Sequence, residues 1–234
     1  MTGDPQNSDK SDTAALLGWW IESGVDVAVG DEARDWRKQA PSPSSPQAPS
    51  QAAVHESESV PSDFPAFRAW LEQSTDLPLA LPGARKVLPR GEANAEIMLM
   101  TDVASTEDDG EPIGGDAWLL AGRMLAAIGV TSDQAYLANL SCFSSPGTSL
   151  SGGDLDRCVE IARQHIALAA PKRLILFGDG PSKAFLGGPV TQRRGKIHKV
   201  EGARTIATFA PRWLLQRPAD KALAWRDLLL LMEE

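Results

Sequence analysis

Polar side chains that could do chemistry follow two short apolar runs of this 234-residue chain. Asp102 comes directly after the run 96–101, and Asn139 lies near the end of the run 135–140. A carboxylate can orient a water molecule or accept a proton, and an amide offers both a hydrogen-bond donor and an acceptor. The sequence therefore points to a polar site at the ends of these runs.

The elements that must position these residues alternate from residue 64 onward. The predicted strands are 96–101, 135–140, 173–178 and 204–209. The predicted helices are 116–128, 154–169, 181–186 and 219–232. This alternation predicts an α/β domain with a mostly parallel sheet covered on both faces. Ligands of such sheets bind beyond the carboxyl ends of the strands, so the candidate loops are 102–109, 139–147, 178–182 and 210–213.

An ordered series of short motifs runs from about residue 77 to residue 234. It includes GEANAEIM at 91–98, Pro112-Ile113 after the acids at 107–108, Tyr136 with Asn139, TQRRGK at 191–196 and ATFAPRWLL at 207–215. The series resembles the uracil-DNA glycosylase superfamily, most of all its bacterial iron–sulfur-containing (family 4-like) branch. The resemblance implies a three-layer α/β sandwich with a four-stranded parallel sheet. It also implies an enzyme that flips uracil out of DNA and hydrolyses the glycosidic bond.

The resemblance assigns a catalytic role to two residues. Asn139 stands where the family pairs with the uracil edge, so it is also expected to bind substrate. Asp102 stands at the acid of the family's Gly-Glu-x-Pro-Gly loop, which here reads TDVAS at 101–105. The acid is one methylene shorter, and the glycines are absent. Two alternatives stay open: Asn139 as the cap of a strand end, and Asp102 without a part in catalysis.

Other positions of the expected base pocket depart from the family. Ile113 replaces a phenylalanine that stacks on uracil, and Phe143 is the candidate substitute, with a place in the core as its alternative. Ala210 replaces the histidine that donates to the uracil oxygen, while Pro211 is retained. Losing one such donor typically costs a factor of about 100 to 1000 in rate. The resemblance therefore predicts weakened activity.

A basic stretch at 190–218 favours contact with a phosphate backbone. Its predicted DNA-binding residues are Arg193, Arg194, Lys196, Arg212 and Trp213. Trp213 could stack on a base or wedge into the duplex, and burial above the last helix is its alternative. An ordinary solvated surface is the alternative for the charges as a whole.

Cys142 and Cys158 have the spacing of the second cysteine pair that ligates the family's [4Fe–4S] cluster. The first pair would fall within 74–79, where Ser74 and Leu77 stand instead. With two of four ligands absent, we expect remnant thiols and neither a cluster nor another metal.

The remainder of the chain has a different composition. Residues 1–63 are predicted to form an acidic appendage with a short helix at about 13–23 and a disordered linker at 39–62, before a single domain at 64–234. The appendage carries most of the net charge of −8. A signal peptide and an apolar run long enough to span a membrane are not apparent, so a cytoplasmic monomer is expected.

Two functions are consistent with these residues and with the resemblance. The first is a divergent uracil-DNA glycosylase for DNA repair, acting on uracil or another deaminated base. The second is an inactive module on the same scaffold that binds DNA or a protein partner, for which the helix at 13–23 is a candidate contact.

Overall fold

The computed structural model describes residues 60–75, 77–80, 83–105, 108–144 and 152–233. All of them lie in one compact unit. The predicted helix at 13–23 and most of the linker at 39–62 lie outside the described residues. Among the described residues, no helix is long and apolar enough to cross a membrane.

A five-stranded sheet forms the middle of the domain. The described strands are β1 Arg85–Lys86, β2 Ile97–Thr101, β3 Ala135–Asn139, β4 Phe143–Ser144, β5 Arg173–Phe177, β6 His198–Val200 and β7 Ala203–Thr208. The central sheet has the order β3-β2-β5-β7-β6, and β1 pairs with β4 in a separate two-stranded sheet. The four predicted strands are confirmed, and they pair in parallel.

The fifth strand was missed because its sequence carries little signal. β6 pairs antiparallel with β7, and only Val200 of its three residues is buried. An edge strand of this kind is short and polar, which discourages pairing with other chains.

Helices cover both faces of the sheet. The described α-helices are α1 Phe64–Gln73, α2 Gly115–Ala127, α3 Gly152–Ala169, α4 Asp179–Leu186, α5 Val190–Arg193, α6 Pro211–Gln216 and α7 Lys221–Met232. Short 3₁₀ turns at Ser132–Gln134 and Pro218–Asp220 precede β3 and α7. The predicted helices correspond to α2, α3, α4 and α7, while α1, α5 and α6 were not anticipated.

The two faces of the sheet explain the three layers. Successive side chains of a strand point to opposite faces, so Met98 and Met100 of β2 pack in one cluster with Ile166 of α3. Ile97 and Leu99 pack in the other cluster, which α2 and α7 complete. A third cluster joins α1 to the segment around β4. The fold is therefore an α/β three-layer sandwich, as expected.

A buried carboxylate fastens α7 to the sheet. Asp227 is fully buried and accepts hydrogen bonds from Thr208 Oγ1 at 2.8 Å and from the Gly195 amide at 3.0 Å. Both Nε and Nη2 of Arg194 also donate to it. Burial raises the pKa of Asp227, and the bonds to Thr208 and Arg194 oppose that change. The arrangement holds the last helix in register with β7.

Candidate active site

A cavity of about 180 Å³ opens at the carboxyl ends of the parallel strands. The residues that line it are Thr101, Asp102, Val103, Ser105, Asp108, Pro112, Ile113, Ala117, Ala210, Pro211 and Arg212. The sequence prediction placed five of them in the site: Asp102, Ile113, Ala210, Pro211 and Arg212. The structure brings these five together from two segments that are far apart in sequence, the connection between β2 and α2 and the residues 210–212.

Asp102 stands at the end of β2 and is exposed at the cavity. Its Oδ1 accepts a hydrogen bond of 3.0 Å from the Val103 amide. The carboxylate lies against the first turn of α4, where a Cβ added to Gly180 would come within 2.3 Å of Oδ2. Burial on that side raises the pKa of the Asp102 carboxyl, while the Val103 amide and Lys183 lower it. A carboxylate with a raised pKa next to a cavity suits proton transfer or the orientation of water.

Gly180 is a site residue that the sequence reasoning did not assign. Its only signal was the Gly-x-Gly at 178–180 after a strand, a pattern too common to be specific. The structure gives that glycine a physical reason, because a side chain there would displace the Asp102 carboxylate.

Asn139 lies at the end of β3, beside the cavity, and is 8% exposed. Its Nδ2 donates to the carbonyl oxygens of Asp102 and Pro112, each at 3.1 Å. Both carbonyls belong to residues that line the cavity. Asn139 Oδ1 is buried and has no hydrogen-bond partner among the described residues. The two donor hydrogens of this amide therefore hold the backbone at Asp102 and Pro112, while its oxygen has no partner among the described residues.

Two residues of the cavity lining that differ from the expected phenylalanine and histidine, Ile113 and Ala210, have apolar side chains. Ile113 is 6% exposed and packs in the same core cluster as Ala117. Ala210 is the residue before α6, and a Cβ added to Gly178 would lie 3.5 Å from Ala210 Cβ. An alanine methyl group cannot donate a hydrogen bond, so this part of the loop presents no side-chain donor.

An ion pair between the partly exposed Arg212 and the buried Asp108 lies in the cavity lining. Arg212 Nη2 lies 2.6 Å from Oδ1 of Asp108, which is 4% exposed. Asp108 also accepts from the amides of Ser105 and Gly114, each at 2.7 Å. A Cβ added to Gly114 would collide with the Asp108 backbone, so that glycine is required for the close approach. Sequence reasoning placed Asp108 in a loop motif but gave it no role.

Besides Asn139 and Trp213, four of the predicted site residues lie outside the cavity lining. Phe143 is buried in the third core cluster, with Lys86 Nζ 5.4 Å from its ring centroid. Arg194 is bound to Asp227, and Arg193 Nη2 donates to the Gly187 carbonyl at 3.3 Å. Lys196 is exposed to solvent. The basic residues at 193–196 are thus set apart from the cavity lining.

Trp213 lies on α6, one residue beyond Arg212. Its side chain is 40% exposed, and its ring stacks on Phe209 with centroids 6.2 Å apart. Arg217 lies 4.6 Å from the ring centroid, and the indole Nε1 donates to Asp220 at 2.9 Å. The ring is therefore held by neighbours yet partly open to solvent next to the cavity.

The two cysteines lie in packed surroundings. Burial raises the pKa of Cys142 to about 11 and that of Cys158 to about 12. Ser74 ends α1, where its carbonyl accepts from Lys86 Nζ at 2.6 Å, and Leu77 is buried in the third core cluster. The described residues contain no group of three or more His, Cys, Asp or Glu side chains placed to hold a metal ion. A four-thiolate ligand set does not fit these residues.

Comparison with known proteins agrees with the geometry. The sequence model of the "Uracil DNA glycosylase superfamily" matches residues 104–229, which are more than half of the chain. The chain belongs to the uracil-DNA glycosylase superfamily. The Type-4 uracil-DNA glycosylase of Archaeoglobus fulgidus is 23% identical over 141 residues, covering 55% of this chain and 71% of that protein.

Membership of the superfamily accounts for the position of the site. The matched residues begin in the loop after β2 and end in α7, so they include Asn139 and the ion pair of Asp108 with Arg212. The low identity agrees with the departures at Ile113 and Ala210. This chain is a divergent member of the superfamily with similarity to its type 4 branch.

Proposed function

We propose that the protein is a DNA glycosylase that hydrolyses the N-glycosidic bond of uracil, or of another deaminated base, flipped out of DNA. The observation that carries the proposal is the Asp102 carboxylate in the lining of the cavity, with Asn139 directly behind it and bonded to the carbonyls of Asp102 and Pro112. A carboxylate, and a buried amide whose oxygen has no partner among the described residues, provide the two chemical functions that such a reaction needs.

The proposed reaction assigns a step to each residue. A water molecule held by the Asp102 carboxylate attacks C1′ of the sugar as the bond from C1′ to the base nitrogen breaks. The water proton passes to the carboxylate, and the base leaves as an anion that is then protonated. Asn139 Oδ1 accepts a hydrogen bond from the ring N–H of the base. Arg212 supplies positive charge at the same cavity while the base anion forms.

The same geometry supports weakened activity. Ala210 provides no donor, and Ile113 offers an aliphatic wall where an aromatic ring would stack on the base. Stacking of a base on an aromatic side chain contributes about 1–3 kcal/mol. We propose slow turnover without an iron–sulfur cluster, by a monomer that binds DNA through Trp213 and nearby basic residues.

The test is a single-turnover cleavage assay on single- and double-stranded oligonucleotides that contain uracil. Asp102→Asn and Asn139→Ala protein should form abasic product at least about 100-fold more slowly than the unchanged protein. Asp133→Asn is the matched control, because the same exchange is made at an exposed site next to the start of β3. Unchanged cleavage by Asp102→Asn protein would contradict the role of the carboxylate.

The second candidate is a binding module that recognises DNA without cleaving it. The absence of a side-chain donor at Ala210 favours it. Binding of uracil-containing DNA without product, even at enzyme excess, would support this candidate and exclude the glycosylase.

A further inference from the structure

A second concave surface lies on the helices, and it shares no lining residue with the cavity at the strand ends. This groove of about 170 Å³ runs between α2, α6 and α7. Its apolar lining consists of Leu120, Met124, Ala127, Leu214, Trp225 and Leu228, with Ala224 at its base. A groove of this volume accommodates one or two large side chains of another molecule.

The helix that forms one wall has more apolar surface than the fold uses. α7 buries Ala224, Leu228 and Leu231 against the sheet, yet Trp225 is 40% exposed and Leu229 is 43% exposed. Trp225 lines the groove, whereas Leu229 lies one helical turn further along α7, outside the lining. An apolar groove with an exposed tryptophan on its wall indicates a contact surface. Tryptophan is one of the residue types enriched among the energetically important positions of protein interfaces.

The charges at the groove have one sign. Arg123 on α2 and Lys221 on α7 both line it, and no acidic residue does. Both cations are exposed, and neither forms an ion pair within the described part of the chain. An occupant with apolar side chains flanked by carboxylates would therefore match the groove in both polarity and charge.

We propose that this groove binds an acidic amphipathic helix of a partner protein. An apolar groove between helices is the usual receptor for such a segment, which inserts residues spaced at i, i+3 or i+4. Arg123 and Lys221 would pair with the acidic residues on either side of that apolar stripe. Nucleic acid is the poorer match, because a phosphate backbone gives nothing to fill a lining that is mainly apolar.

The probe is a fluorescein-labelled 14-residue helical peptide with leucine and tryptophan on one stripe and glutamate on both flanks. A second peptide has lysine in place of every glutamate, and a third has the acidic composition in scrambled order. Fluorescence anisotropy with the full-length protein should show binding of the first peptide at least tenfold tighter than that of the other two. Trp225→Ser should weaken this binding at least tenfold.

Charge exchange makes the test specific. The double variant Arg123→Glu with Lys221→Glu should lose the acidic peptide and gain the lysine peptide, each by tenfold or more. Lys199→Glu is the matched control, because this exposed lysine lies on β6 and does not line the groove. Both variants change only exposed cations, so circular dichroism should show an unchanged fold.

Four results would overturn the proposal. The first is equal affinity for the acidic and scrambled peptides, and the second is an unchanged affinity of the Trp225→Ser protein. The third is competition by a plain oligonucleotide that is lost in the Arg123 and Lys221 double variant, which would make the groove a DNA contact. The fourth is a molecular mass in solution that rises with protein concentration for the unchanged protein but not for the Trp225→Ser protein. That result would identify a second copy of the chain as the occupant of the groove.

Discussion

Arg212 Nη2 lies 2.6 Å from Asp108 Oδ1, and this contact joins the loop before α2 to the start of α6 across the candidate cavity. Asp108 is 4% exposed and accepts two backbone hydrogen bonds as well, so its carboxylate has three donors. The pair thus fixes the relative position of the loops that carry Ile113 and Ala210. A cavity formed from separate loops needs such a link if its dimensions are to be kept.

The first prediction concerns the stability that this pair provides. Asp108→Asn should lower the free energy of unfolding by about 3 kcal/mol, because an amide nitrogen would face donors in a buried site. Arg212→Ala should cost less, since that side chain is 38% exposed. Urea unfolding followed by tryptophan fluorescence measures both. Asp109→Asn is the control at an exposed neighbour. Equal stability of the Asp108 and Asp109 variants would contradict the prediction.

The second prediction tests whether moving the Asp102 carboxylate slows the reaction without lowering the stability of the fold. Gly180→Ala places a Cβ within 2.3 Å of Asp102 Oδ2, so the flexible carboxylate must move. We expect base excision to slow by about tenfold to 100-fold. Stability should be kept or should rise by up to about 1 kcal/mol, because alanine favours a helix over glycine.

Gly122→Ala is the control for this experiment. Gly122 also lies inside a helix, but a Cβ there would meet no atom within 4 Å. It should stabilise α2 without changing the rate of excision. Equal rates for the two variants would show that the carboxylate does not need its place beside Gly180.

Much of the site could be read from the sequence because parallel strands bring their carboxyl ends to one edge. The sequence assigned Asp102, Ile113 and Ala210 to one site for this reason, together with the order of the motifs, and the structure brings the three to a common cavity. The ion pair between Asp108 and Arg212 was not predicted, since its partners are 104 residues apart and the motifs that contain them do not indicate a contact between them.

The other differences between the sequence-based predictions and the structure arise from tertiary contacts. Phe143 stands in the third core cluster, and no rule of periodicity separates a buried phenylalanine from one that lines a site. Arg194 belongs to a basic stretch in the sequence, yet the fully buried Asp227 binds its guanidinium. Charge counting along a chain cannot identify which cations are held by carboxylates from a distant helix.

The third prediction concerns iron. A [4Fe–4S] cluster is held by four cysteine thiolates, and this chain has two cysteines, whose thiol pKa values burial raises to about 11 and about 12. Because two of the four ligands are absent, protein purified without oxygen should contain iron well below one cluster per chain and show no brown colour. Iron analysis and a visible spectrum measure this. Iron in stoichiometric amount that is lost in Cys142→Ala protein would contradict it.

The fourth prediction concerns pH and the buried His165. This imidazole lies between α3 and the sheet, with Nε2 2.7 Å from the Tyr136 hydroxyl, and burial lowers its pKa to about 3. The unfolded chain binds a proton near pH 6.5 and the folded chain does not, so the free energy of unfolding should fall as the pH decreases from about 6.5 toward 3. The expected slope from this group is up to about 1.4 kcal/mol per pH unit.

Urea unfolding at several pH values between 7 and 4 tests this effect. His165→Gln keeps a hydrogen-bonding partner for Tyr136 but removes the titration, so it should be less stable at pH 7 and show a flatter decline toward acid. His198→Gln is the control, because that histidine is only half-buried and bonds to the Arg193 carbonyl at the edge of the sheet. It should leave the slope almost unchanged. A decline in the His165→Gln protein as steep as that of the unchanged protein would assign the acid sensitivity to groups other than His165.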